Sequence, residues 1–129
     1  MAKRLLLAIA CVAACSGASA AAWFPVPGAP EVNVDLGSLE QQGQRVVLWV
    51  RWWGRAPLLA QDAPAVHRST LRLEFDCGAR AVRMLEAQGH DAQGRAVFMS
   101  SVPGPSRKVT GEDLAWTYDA VCEAARAGS

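Results

Sequence analysis

Between His67 and Glu86 the chain reads HRSTLRLEFDCGARAVRMLE, and in it Leu71, Leu73, Phe75 and Cys77 alternate with Thr70, Arg72, Glu74 and Asp76. A period of two with one wholly apolar side is the pattern of a strand buried on one face and wet on the other, as in an antiparallel sheet covered on a single side. Gly78-Ala79-Arg80 supplies a turn, and Ala81 to Gln88 returns as the next strand. Cys77 stands on the buried side of that first strand. Any disulfide partner would therefore come from whatever covers the same face.

Only Cys122 is available for that role, because Cys11 and Cys15 belong to the first part of the chain. Met1 to Ala22 has the form of an export leader: Lys3 and Arg4, then an apolar run from Leu5 to Ala14, then small residues. That apolar run is too short to span a bilayer. Ala18-Ser19-Ala20 fits the small-x-small site of ordinary signal peptidase, while Val12-Ala13-Ala14-Cys15 resembles a lipobox in which Cys15 becomes the lipidated first residue. Both readings stay open, with an uncleaved anchor as a third. Export implies an oxidising compartment, where a disulfide persists.

The remaining hundred or so residues suffice for one small domain with one core. Residues 23–31, WFPVPGAPE, read as a Pro-rich lead-in, because proline lacks the donor that an internal strand needs. The domain proper is expected over 32–126. Val32, Val34 and Leu36 alternate with Asn33 and Asp35 as a first strand ended by Gly37 and Ser38. Arg45 to Trp53 follows as the strongest strand, rich in β-branched and aromatic residues. A fifth strand is expected over Arg95 to Ser101, after which Val102-Pro-Gly-Pro105 stops the sheet. Thr110-Gly-Glu-Asp113 has the form of a capping box, with Thr110 as N-cap, and Leu114, Tyr118, Val121, Cys122 and Ala125 recur at helical spacing behind it. The fold class is thus α+β, a single antiparallel sheet of five to six strands with a C-terminal helix on one face. Cys77 and Cys122 both point into the contact between them. A disulfide is expected there, with two buried thiols as the alternative.

Arg45 to Trp53 has two faces. Val46, Leu48, Val50 and Trp52 make an apolar row suited to the core, whereas Val47, Trp49, Arg51 and Trp53 make a mixed outer row. Trp49, Arg51 and Trp53 are the candidate binding patch, since tryptophan and arginine dominate interface energetics. The plainer alternative is that the two tryptophans only shield the sheet or pack under the Pro-rich segment. Other chemistries find little support. Net charge is +1, with no basic stripe bearing interleaved aromatics, which argues against nucleic acid. His67, His90 and Asp62 lack ligand spacing, so no metal is expected. No nucleophile stands beside a plausible base and no phosphate loop occurs, so neither an enzyme nor a cofactor is expected.

Val34-Asp35-x-x-Ser38, Gly43, Val47-x-Trp49, Arg68-Ser69, Glu74-Phe75-Asp76-Cys77, Arg80 with Arg83, Gly94 and Ala120-Val121-Cys122 together resemble the pattern of the surface-adhesin protein E family of Gram-negative bacteria. The resemblance runs from about Val32 to Cys122. It implies a sheet of about six strands with a C-terminal helix tied to it by a disulfide, and only the fold and the cysteine pair carry over residue by residue. It further implies an exported cell-envelope, adhesin-like domain without catalysis, in the periplasm or at the outer membrane and cell surface. The partner would be an envelope or extracellular protein, homodimerisation is open, and membrane attachment would come only through a lipid on Cys15. The alternative function is a periplasmic structural or accessory protein that docks another envelope component.

Overall fold

The computed structural model describes residues 21–59 and 65–128; the first twenty residues of the leader, Cys15 among them, and Asp62 lie outside the described residues. Among the described residues seven strands and one helix follow in order: β1 (Trp23–Val26), β2 (Ala29–Gln42), β3 (Arg45–Trp53), β4 (Arg68–Asp76), β5 (Ala81–His90), β6 (Ala96–Ser100), β7 (Arg107–Lys108) and α1 (Glu112–Ala127). Strands β1 to β6 lie side by side in chain order, each antiparallel to the next, as short connections favour. The outer edge of β5 is shared. Strand β6 takes its Ala87–His90 half, and β7 pairs with Ala81 and Val82.

Three departures from the sequence reading have local causes. The Pro-rich segment is more than a lead-in: Trp23–Val26 pairs with β2 as an edge strand, where Pro25 needs no donor on its free side, and Pro27-Gly28 turns the chain. Gly28 is required in that turn. Its φ of 88° is the left-handed region, and a Cβ there would stand 2.5 Å from the Trp116 ring. Next, Gly37 and Ser38 do not end the strand; β2 runs on to Gln42 through a register shift between Asp35 and Glu40. Ser38 Oγ accepts the Trp49 N–H at 3.0 Å and donates to the Asp35 carbonyl at 2.8 Å, so a side chain replaces the interrupted ladder bonds. Finally, the sheet resumes after Pro105 as β7, which β5 can accept because β6 leaves half its edge open.

The core lies on one side of the sheet. Val46, Leu48 and Val50 stand directly across from Phe75, Leu73 and Leu71, all buried, and these cross-strand pairs are the unit of sheet stability. Trp52, Val32, Val34, Val82 and Ala87 extend the layer. Helix α1 covers it with Leu114, Thr117, Tyr118, Val121, Cys122 and Ala125, adding Thr117 to the expected stripe, while Glu112, Asp119, Glu123 and Arg126 face water. Thr117 is tolerated in the apolar contact because its hydroxyl donates to the Asp113 carbonyl at 2.7 Å. The N-cap is Gly111, at φ 86° and without a side-chain cap, so the expected capping by Thr110 is corrected: the helix begins one residue later, and Ala115 N–H reaches the Gly111 carbonyl. Glu112 and Asp113 still place negative charge in the first turn.

Cys77 and Cys122 are joined, with Cα atoms 5.8 Å apart and a sequence separation of 45. Closing a loop of that length is worth about 4 kcal/mol in the chain-entropy account. The bond has company. Tyr118 Oη donates to the Cys77 carbonyl at 2.9 Å, and the Arg80 guanidinium lies over the Tyr118 ring at 4.8 Å while pairing with Asp119 at 3.4 Å. Farther along, the connection after β3 buries Ala56 and Leu59 over the rest of the core. Fully buried Ser69 holds it, its Oγ donating to the Gly54 carbonyl and accepting the Ala56 N–H.

Candidate functional site

The sheet face away from the helix carries the polar half of every alternating strand. Its rows follow from register: Trp23, Asp35, Trp49, Arg72 and Glu86 form one line across β1 to β5, and Asn33, Arg51, Thr70, Gln88 and Met99 form the next across β2 to β6. A third line joins Trp53, Arg68 and His90. These lines decide which of the candidate residues can touch.

Arg51 and Trp53 come together, and Trp23 joins them. The Arg51 guanidinium carbon lies 4.3 Å from the Trp23 ring centre and 5.5 Å from that of Trp53, both within cation–π range. Trp53 is 49% exposed and meets His67 edge to face at 6.4 Å. The result is a short stack of indole, guanidinium and indole at the β1 side of the face. Trp49 is placed differently. Half-buried on the neighbouring row, it lines a groove of about 160 Å³ with Glu86, Gln88, Met99, Ser100 and Ser101. Met99, 69% exposed, forms its far wall. The three candidate side chains therefore serve two adjoining features.

Charge on the face is balanced and mostly exposed. Arg72 bridges Glu40 at 3.7 Å and Glu86 at 3.9 Å, and Arg83 meets Glu74 at 3.5 Å. Exposed pairs of this kind add little stability but hold the side chains in place. A second depression of about 210 Å³ opens beside Glu74 and Arg83, lined also by Arg45, Asp76 and the Gly104-Pro105-Ser106 segment. Among the described residues no group of three His, Cys, Asp or Glu side chains could hold a metal ion, and no helix is long and apolar enough to cross a membrane. His67 and His90 meet only through backbone, His67 N–H donating to the His90 carbonyl.

Sequence reasoning missed Trp23, Glu86, Gln88 and Met99. Trp23 had a usable signal, since Pro27-Gly28 between WFPV and APEV is hairpin chemistry. The other three are visible only once the register of β5 and β6 is known.

This arrangement of a single antiparallel sheet, a C-terminal helix and a disulfide between them has a counterpart. The family model described as surface-adhesin protein E matches residues 23–123. The chain belongs to the surface-adhesin protein E family. The match begins at Trp23, so β1 and its tryptophan are part of the shared unit. Crystal form II of Haemophilus influenzae protein E superposes with a TM-score of 0.59 over 87% of this chain and 94% of that one, at 11% identity. At that identity the likeness speaks for the fold. No curated protein sequence matches.

Proposed function

We propose that this chain is a non-catalytic binding domain of the cell envelope, adhesin-like, which engages a protein partner through the sheet face away from its helix. Membership of a surface-adhesin family supports the adhesin-like, surface-exposed part of this reading. The face is supported by one observation: Trp23, Arg51 and Trp53 stack on the open side of the sheet, with Trp49 beside them in a groove. Aromatic and arginine side chains held rigid on a flat surface bind with little loss of rotamer freedom. The chain reaches the envelope through its leader, and either ordinary cleavage or a lipid on Cys15 completes export. Palmitate labelling of wild type against Cys15→Ala distinguishes the two.

The binding test uses purified mature protein on a panel of extracellular-matrix proteins and on envelope extract. Trp53→Ala and Trp49→Ala, each folded by circular dichroism, are expected to weaken binding by tenfold or more, the order of a hot-spot loss of about 2 kcal/mol. Unchanged binding by both variants would remove this face from the account. A second reading, docking to another envelope component, rests on the free edge of β6, where Met99 and nearby Val102 are exposed. An open edge can accept a further strand. In that case a stoichiometric partner should co-purify and be lost on Val97→Pro, with the tryptophan variants still bound.

A further inference from the structure

Asp35 is the only buried carboxylate among the described residues, 8% exposed on the outer face between Trp23 and Trp49. Burying a carboxylate is costly unless it is hydrogen-bonded and faces a cation. The hydrogen bonds are present: Oδ1 accepts the Gly37 N–H at 3.0 Å and the Ala22 N–H at 2.9 Å. A cation is not, since among the described residues no Lys, Arg or His forms an ion pair with Asp35. The Gly37 bond is local and belongs to the bulge. The Ala22 bond is not, because it spans 13 residues and ties the start of the domain to the sheet. Ala22 is held from its other side as well, its carbonyl accepting the Leu36 N–H at 3.1 Å. Ala21, one residue earlier, is exposed.

We propose that the leader is cut between Ala21 and Ala22, and that the new α-ammonium of Ala22 is the missing cation of Asp35. Two frames of small residues fit a leader peptidase here, Ala18 with Ala20 and Ser19 with Ala21, and residue sizes do not separate them. The Asp35 contact does. Hydrolysis adds one water across the Ala21–Ala22 peptide bond, leaving a carboxylate on Ala21 and an ammonium on Ala22. The ammonium nitrogen occupies the position from which the amide now donates at 2.9 Å, and a hydrogen bond charged on the acceptor alone becomes an ion pair charged on both sides. A cut after Ala20 would leave a neutral amide at Asp35. Lipidation of Cys15 would do the same. Processing at Ala22 also tightens β1, and with it the hold of Trp23 on Arg51, so maturation and completion of the binding face become one event.

This inference rests on the reading that the leader directs export, and the experiment separates the two. The full precursor is expressed in an exporting bacterial host, and the mature protein is characterised by N-terminal sequencing and intact mass. The expected first residue is Ala22. A chain that begins at Ala21 or earlier, a lipidated Cys15, or an exported chain with its leader uncut overturns the proposal and leaves export standing; a chain retained whole in the cytoplasm overturns both. A second measurement compares chains that begin with free Ala22, with acetylated Ala22, and with Ala21. Free Ala22 should melt about 4 °C or more above the other two, and Asp35→Asn should erase the gap. Equal melting temperatures would overturn the proposal even if the cut falls at Ala22, and the acetylated chain keeps the test decisive should Asp35→Asn fail to fold.

Discussion

Single residues in this molecule are constrained most where like groups are forced together. In the first turn of α1, Asp113 shares a hydrogen bond with the Glu31 side chain, and that bond, then burial, then the charges of Glu31 and Glu112 raise its pKa above the ordinary 3.8. A carboxyl whose pKa is raised on folding keeps a proton that the unfolded chain has released. Its stabilising contribution is therefore full below the unfolded value and is lost as pH climbs through the raised one. At neutral pH two carboxylates face each other at the helix entrance. Asp113→Asn can keep the hydrogen bond without the repulsion, so its melting temperature should gain on that of wild type as pH is raised from about 3.5 to about 7. A difference that stays constant over that range, measured by thermal melting, would count against the shared proton. Gly28 shows the same principle sterically: turn conformation and the Trp116 ring leave no room for any side chain.

At the scale of elements, the informative places are those where a strand or helix does not begin or end where its residues suggest. Gly37-Ser38 has the composition of a stop, yet β2 passes through it because Ser38 Oγ serves both interrupted strands. Ser38→Ala should leave the Trp49 N–H without its acceptor and cost about 1–3 kcal/mol. The expected readout is a lowered urea midpoint at unchanged slope, with loss of hydrogen-exchange protection at the Trp49 amide; retained protection would mean that another acceptor steps in. Elements with long, clean periodicity were legible in the sequence: β3, β4 and the buried stripe of α1 lie where alternation and helical spacing put them. Those set by exchange of backbone bonds were not. Strand β7 is two residues whose only qualification is proximity to an unoccupied length of β5, and Gly111 displaces Thr110 as N-cap through backbone conformation alone. Neither carries a side-chain pattern that could be read.

Over the whole molecule, the disulfide and the core act on the same side of the sheet. Replacing Cys77 and Cys122 together by Ala should lower stability by about 2–4 kcal/mol without undocking the helix, because Tyr118 still donates to the Cys77 backbone carbonyl and the stripe from Leu114 to Ala125 remains buried. Urea unfolding of the variant and thiol counting on the exported wild type check this: no thiol should alkylate without reductant, and two reactive thiols would refute the bond. The candidate site was less legible than the fold for a reason of scale. Its members Trp23, Arg51 and Trp53 come from two strands separated by a third, so the stack exists only after β1, β2 and β3 are in register. What the chain alone offered was one strand's share of it. The separation of faces has a consequence for how such a protein can change. Apolar packing, the covalent tie and the helix contact all lie on the inner side, whereas most outer side chains are half-buried and make polar and aromatic contacts outside that core. Away from Asp35, substitution on the outer side leaves that core untouched, so the surface can change while the scaffold is kept, and two chains at 11% identity still superpose.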